Sequence, residues 1–389
     1  MAIQVTALDD LLGSAADAGD VPGVSATIAT DDGVIYEGGF GSRELGKPDA
    51  YTADTVVWIA SMTKAITAAA AMQLVEAGRI GLDTPASDVL AQLGNVEVLD
   101  GFDDAGEPKL RAPIRPVTLR HLLTHTAGYA YDIWNTDLAR FQELRGIPGI
   151  TGCENAALAT PLIADPGDRW NYGINIDWAG KLVEAVSGFD LETYMSQMIF
   201  GPLGMTDTSF KLWPHQRERL ATVHTRGDDG SLTPFPFEIP QEPEFHMGGG
   251  GLYSTVGDYV RFTRAILGLG TLDGNQILKP ETVQQMAANN MGDINTTKLI
   301  TAMAPFSKDA DFYPGMAQKW GLSFLINTET TPQGRSAGSL AWAGLANSYY
   351  WFDQTRRVTG VFATQVLPFF DDRSIELFRS FERLVYQQL

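Results

Sequence analysis

Residues 61–80 read SMTKAITAAAAMQLVEAGRI. Ile66, Ala70 and Leu74 recur every four residues, alanine dominates, and Gly78 stands where a C-cap is expected, so the spacing predicts a buried helix. Ser61 and Lys64 are three residues apart at its start and share one face. Free N–H groups and positive potential at a helix N-terminus suit a reacting serine. Burial there favours a neutral lysine, which can take the serine proton. A serine N-cap followed by a surface lysine fits the same four residues, so the partners elsewhere in the chain must decide.

Upstream, VSATIAT (24–30) and VIYEGGF (34–40) flank DDG, the pattern of a hairpin, and the fold is expected to open with antiparallel strands. Downstream, WGLSFLI, SLAWAG, YYWFD and VTGVFATQV are apolar runs of strand length, and SIELFRSFERLVYQQL has helical spacing. Helical patterns broken by Pro and Gly loops fill the middle, among them VTLRHLLTHTAG, NIDWAGKLVEAVSG and LETYMSQMIFGPLG. The expected fold class is therefore α/β of the α+β kind. One antiparallel sheet from both termini is flanked by helices, with residues 1–84 and 236–389 forming an α/β domain and 85–235 an inserted, mainly helical lobe.

The bulk numbers restrict the partners. The 389-residue chain carries 28 Lys plus Arg against 47 Asp plus Glu, a net charge of −19, which repels phosphate backbones and anionic membrane surfaces. Neither nucleic acid nor a membrane is an expected partner. Cys153 is the one cysteine, which excludes an internal disulfide. The N-terminal stretch lacks the basic start and apolar run of a secretory signal, and no segment approaches the roughly 20 apolar residues of a membrane span. A cytoplasmic location is the expectation, and the oligomeric state is not legible.

A second serine competes with Ser61. GRSAG (334–338) has the G-x-S-x-G form of a nucleophile elbow, but such a serine sits between strand and helix with its histidine later in the chain. All five histidines precede Ser336, and SLAWAG after it reads as a strand, so Ser336 is expected in a turn. Two stretches offer partners for Ser61 instead. Tyr172, in DRWNYGINIDWAG, is a phenol that a neighbouring cation such as Lys64 would help to act as a base, although a lone Tyr more often packs. In SLAWAGLAN (339–347), Ala343, Gly344 and Ala346 are small enough for close approach to a strand edge, where a backbone N–H could join that of Ser61 in an oxyanion hole. Close helix packing would explain the same small residues.

S-x-x-K on a helix, a central tyrosine motif and a small-residue strand near the C-terminus, in this order, resemble the serine β-lactamase and penicillin-binding superfamily. Within it the chain is most similar to the class C-like carboxylesterases, often called family VIII esterases. LLTHTAG (122–128), PLGM (202–205) and GGGGLYST (248–255) extend the resemblance over nearly the whole chain. The resemblance implies that Ser61 is acylated, that Lys64 and Tyr172 move protons, and that the N–H groups of Ser61 and Leu345 hold the oxyanion. The Lys-Thr-Gly strand motif of true β-lactamases falls on Trp342, Ala343 and Gly344. Trp342 cannot pair with a carboxylate and adds apolar wall. Ile174 stands where β-lactamases of this class carry Asn, with Asn175 one residue out of register. Both departures favour neutral esters over anionic β-lactams.

The expectation is thus a serine carboxylesterase acting on small-molecule neutral esters of short to medium acyl chain. Trp342, Ala343, Gly344, Ile174, Tyr129, His246 and Gly249 are the expected substrate-binding residues. Hydrolysis of β-lactams or D-amino-acid peptides, acyl transfer at the same site, and a silent acyl-ligand-binding module are the alternatives. No metal or cofactor is expected. His121 and His125 are four apart on a predicted helix, but HLLTH lacks the glutamate of H-E-x-x-H, and the Gly-rich 248–251 lacks the G-K-[ST] of a phosphate loop.

Overall fold

The computed structural model describes residues 3–389. The chain opens with a helix, α1 (Val5–Asp17), not with a strand; Leu8, Leu12 and Ala15 recur at helical spacing and are buried. The expected hairpin follows as β1 (Gly23–Thr30) and β2 (Gly33–Gly41). Five more strands come from the C-terminal part: β3 (Gln318–Trp320), β4 (Leu325–Asn327), β5 (Leu340–Gly344), β6 (Ser348–Asp353) and β7 (Val358–Ala363). All seven form one antiparallel sheet in the order β3-β4-β5-β6-β7-β1-β2, so the two ends of the chain meet where β7 pairs with β1.

The stretch WGLSFLI is not one strand. It reverses between β3 and β4, with Ser323 at φ 73°. The turn lies under other segments, so Leu322 and Phe324 are as buried as the strands and no polar break marks the reversal in the sequence.

Residues 61–80 do form the buried helix, α2 (Thr63–Glu76), entered through a 3-10 turn at Ala60–Met62. Ala65, Ile66, Ala68, Ala69 and Ala70 are all fully buried, so apolar neighbours surround α2 rather than line one stripe. It packs against α3 (Asn175–Ser187) from the middle of the chain. Helices α4 (Val256–Leu267) and α5 (Asp372–Tyr386) cover the sheet. Along β6 the period-two alternation separates them: Tyr349 and Trp351 meet Phe378 of α5, whereas Tyr350 meets Tyr259 of α4. The two helices therefore lie on opposite faces.

The 85–235 segment carries helices but also strand pairs. Val98–Phe102 pairs with Pro108–Arg111, and Val223–Arg226 pairs with Leu232–Phe235 and, in parallel, with Val366–Leu367 near the C-terminus. Ser336 sits in the irregular connection between β4 and β5, where its N–H donates to Asp353 Oδ2 at 2.8 Å. No helix among the described residues is long and apolar enough to cross a membrane.

Candidate active site

Ser61 lies in the 3-10 turn immediately before α2, and the residue before it, Ala60, has φ 44°. A non-glycine residue in the left-handed region stores about 1 kcal/mol or more of strain. The turn is held by its surroundings. Trp58 donates its indole N–H to the Gly250 carbonyl at 2.7 Å, and Tyr259 donates to the Met62 carbonyl at 2.8 Å. The end of β5 packs directly on the same turn: a Cβ at Gly344 would overlap the Ile59 carbonyl and the Ser348 hydroxyl. The small residue at 344 is therefore required by the approach of strand to turn, and that approach brings Leu345 beside Ser61.

Lys64, one turn further along, is completely buried. Its Nζ lies 3.0 Å from Ser61 Oγ, 3.0 Å from the Tyr131 hydroxyl and 2.6 Å from the Gly249 carbonyl. Burial pushes its pKa down from 10.5 to about 7, against the pull of the Asp177 carboxylate. The surface-lysine reading of S-x-x-K is excluded by this placement.

Tyr172 is also buried, with its hydroxyl accepting a hydrogen bond from Trp342 Nε1 at 2.9 Å. Lys64 Nζ stands 4.7 Å from the centre of the Tyr172 ring, against the ring face rather than the oxygen. The expectation that Lys64 lowers the phenol's pKa is not met. Burial raises it well above its ordinary value, and the hydroxyl of Ser61 and the indole of Trp342 only partly oppose that. Burial thus acts oppositely on the two groups: it favours the neutral amine of Lys64 and the protonated phenol of Tyr172.

Sequence reasoning missed Tyr131. It bonds Lys64 directly, its N–H donates to the Tyr172 carbonyl at 3.2 Å, and the two tyrosine rings meet edge to face at 5.4 Å. A lone Tyr after HTAGYA carries no local signal; its 67-residue separation from Lys64 is closed only by the fold. Asn175, one residue out of register in the motif, turns inward. Its Nδ2 donates to His125 Nδ1 (2.9 Å), and to the carbonyls of Tyr129 (3.3 Å) and Asn171 (3.2 Å), tying the Tyr172 loop to the 125–129 segment. His125 Nδ1 also accepts from the Gly173 N–H at 3.4 Å, and burial holds the ring neutral.

Two hollows open at Ser61. The larger, a cavity of about 280 Å³, is lined by Ser61, Leu345 and Gly249 and by apolar side chains including Trp58, Tyr131, Trp134, Ile150, Phe237 and Met247. The smaller is a narrow recess bounded by Ser61, Tyr172, Trp342, Ala343, Gly344 and Leu345. Three of the expected substrate-binding residues lie elsewhere. Tyr129 is buried against Trp178, with ring centres 6.2 Å apart. Ile174 is buried at the start of α3 and lines neither hollow. His246 packs on Phe210 and faces Asp190 at 3.8 Å. Each packs among its own neighbours away from the two hollows. His121 and His125 do not share a helix face either. The helix ends at Leu123, His121 caps its start and His125 lies beyond it. Among the described residues no group of three or more His, Cys, Asp or Glu could hold a metal ion.

Comparison with known proteins places nearly the whole chain in one family. The Beta-lactamase family model matches residues 8–380. Monacolin J acid methylbutanoyltransferase of Aspergillus terreus is 32% identical over 365 residues, covering 90% of this chain and 87% of its own. Lovastatin esterase of Penicillium rubens is 30% identical over 404 residues, with 98% of each chain covered. The solved structure of unliganded simvastatin synthase (LovD) from Aspergillus terreus, as its selenomethionyl derivative, superposes with a TM-score of 0.87 at 30% identity, covering 99% of this chain and 98% of that one. With the match spanning 8–380, the chain belongs to the Beta-lactamase family and is an enzyme of its serine hydrolase and acyltransferase group.

Proposed function

We propose that the protein is a serine carboxylesterase that cleaves neutral esters through an acyl-enzyme on Ser61. The observation that carries this reading is the buried Lys64 ammonium position, 3.0 Å from Ser61 Oγ, where burial favours the neutral amine. Neutral Lys64 takes the hydroxyl proton as Ser61 Oγ bonds to the ester carbonyl carbon. The N–H groups of Ser61 and Leu345 receive the negative charge on the carbonyl oxygen. Tyr172 then gives its proton to the departing alkoxide and takes one back from the Lys64 ammonium; water attacks the acyl carbon as its proton passes to neutral Lys64, and Lys64 returns that proton to Ser61 Oγ as the acid leaves. The predominantly apolar walls suit uncharged acyl and alcohol groups, and Trp342 offers no charge to a carboxylate.

Acyl transfer is the second reading, supported by the similarity to an acyltransferase as well as to an esterase. It needs only that an apolar alcohol outcompete water at the acyl-enzyme. On p-nitrophenyl butyrate, Ser61→Ala is expected to lose turnover, and intact-mass spectrometry of the wild type should show one butyryl adduct that the variant lacks. Full turnover by Ser61→Ala would end both readings. Adding an apolar alcohol and measuring the ratio of new ester to free butyrate separates them.

A further inference from the structure

Asp177 is a fully buried carboxylate that the mechanism above leaves unused. It stands on the first turn of α3, the helix packed on α2, with no exposed surface. Oδ1 accepts the Gly249 N–H at 2.8 Å, while Oδ2 has no hydrogen-bond partner among the described residues. The Gly249 carbonyl in turn accepts from Lys64 Nζ at 2.6 Å. One residue, Gly249, therefore holds the carboxylate by its nitrogen and the lysine by its oxygen. It must be glycine, because a Cβ there would stand 2.5 Å from Asp177 Oδ2.

The hydrogen bonds at Lys64 show why a counter-charge matters. The Gly249 carbonyl can only accept, so one N–H of Lys64 is committed to it in every protonation state. Ser61 and Tyr131 take the remaining two positions. When Lys64 accepts the Ser61 proton it becomes an ammonium with three donors and three acceptors, on a side chain with no exposed surface. Such a charge is costly unless an opposite one is near. Among the other titratable groups nearby, Tyr131, Tyr172 and Cys153 are raised by burial and His125 is held neutral, while the Asp132 carboxyl, itself raised by burial, acts on Tyr131 and not on Lys64. Asp177 is the anion those elements leave.

We propose that Asp177 is the positioning counter-charge of Lys64: it fixes the lysine through Gly249 and stabilises the ammonium that forms as Ser61 attacks. This inference rests on the acyl-enzyme reading for its kinetic consequence, but not for the pairing itself. The proton balance is closed. The Ser61 Oγ–H bond breaks as Oγ bonds to carbon, the proton moves to Nζ, Tyr172 gives its own proton to the leaving alkoxide, and the Lys64 ammonium restores the Tyr172 proton. Burial raises the Asp177 pKa and the Lys64 charge lowers it, as expected of a buried carboxylate near a cation.

The sign of the test follows from the charge. Asp177 raises the Lys64 pKa, so Asp177→Asn lets it fall, and the acid limb of kcat/KM for p-nitrophenyl butyrate should move to lower pH by about one unit. The plateau kcat should fall by about tenfold or more as the ammonium loses its partner, with KM little changed. A lower plateau with an unmoved limb would reduce Asp177 to a structural group and overturn the proposal. A second measurement stands even if that variant does not fold. With 13C-labelled aspartate, the Asp177 carboxyl signal in Lys64→Met should titrate at higher pH than in the wild type, and identical titration would refute the pairing. Absence of a Ser61 acyl adduct in the wild type, with the reciprocal shift present, would instead defeat the acyl-enzyme reading alone.

Discussion

The Tyr172 hydroxyl has one acceptor site occupied by the Trp342 indole N–H, which leaves its own proton free to turn toward Ser61. Trp342 thus does more than replace a charged strand residue with an apolar one; it aims the phenol. Trp342→Phe keeps an aromatic ring in the recess and removes that single bond. Loss of one hydrogen bond to a group still paired elsewhere is worth about 1 kcal/mol, so kcat on p-nitrophenyl butyrate should fall by about three- to tenfold. KM and melting temperature should change little, and a variant with unaltered kcat would show that the indole bond does not orient Tyr172. That Ser61, Lys64 and Tyr172 lie together was legible because motif, helix position and order along the chain agreed. Tyr131 and Asp177 were not, since each acts through a neighbour brought in from far along the chain. Pattern reasoning does not reach a residue whose role is defined by Gly249 in three dimensions.

At the scale of elements, the connection before β5 shows what GRSAG is for. Arg335 and Glu382 of α5 are an ion pair, both about fully buried, and Arg335 also bonds the Tyr313 hydroxyl. The pair clamps the β4–β5 connection to the terminal helix and thereby fixes where β5 ends, at the Ser61 turn. Ser336 contributes its backbone N–H, so Ser336→Ala should leave activity within about twofold of wild type and stability within about 0.5 kcal/mol. Arg335→Met is different, because it leaves Glu382 buried without its cation, a change that costs about 3–5 kcal/mol. Burial already raises the Glu382 pKa, with Arg335 opposing, and removing Arg335 raises it further. A carboxyl with a raised folded pKa favours folding below its unfolded pKa and loses that contribution as pH rises through the folded value. Thermal melting should therefore show a smaller loss of stability for Arg335→Met at pH 5 than at pH 8; a loss independent of pH would mean the clamp is steric. Strands, α2 and α5 were readable from period and composition. The helix α1 and the reversal inside WGLSFLI were not, because buried turns carry apolar residues and α1 begins with polar Gln4 rather than a capping side chain.

Across the whole molecule, the cavity beside Ser61 belongs to no single element. Its wall takes Trp58 from before α2, Tyr131 and Trp134 from the loop that follows the 119–123 helix, Ile150 from a 3-10 turn, Phe237 and Met247 from the segment before α4, and Leu345 from the end of β5. Asp132 is the one charged side chain of this otherwise mainly apolar lining, so most of the net charge of −19 lies outside the binding space. Substrate size should then depend on side chains remote in sequence from Ser61 and nearly independent of the proton-transfer groups. Ile150 tests this, since it is only half-buried and a larger residue there intrudes on the cavity without disturbing α2 or the sheet. Ile150→Trp should reduce kcat/KM for esters bearing a chain of about eight carbons by tenfold or more, as overfilling a packed apolar space costs about 1–3 kcal/mol. Acetate esters of a small alcohol should keep wild-type rates, because Ser61, Lys64 and Tyr172 are untouched. An ester panel in which the small and large substrates lose activity equally would place substrate binding outside the 280 Å³ cavity and leave the recess beside Trp342 to hold it.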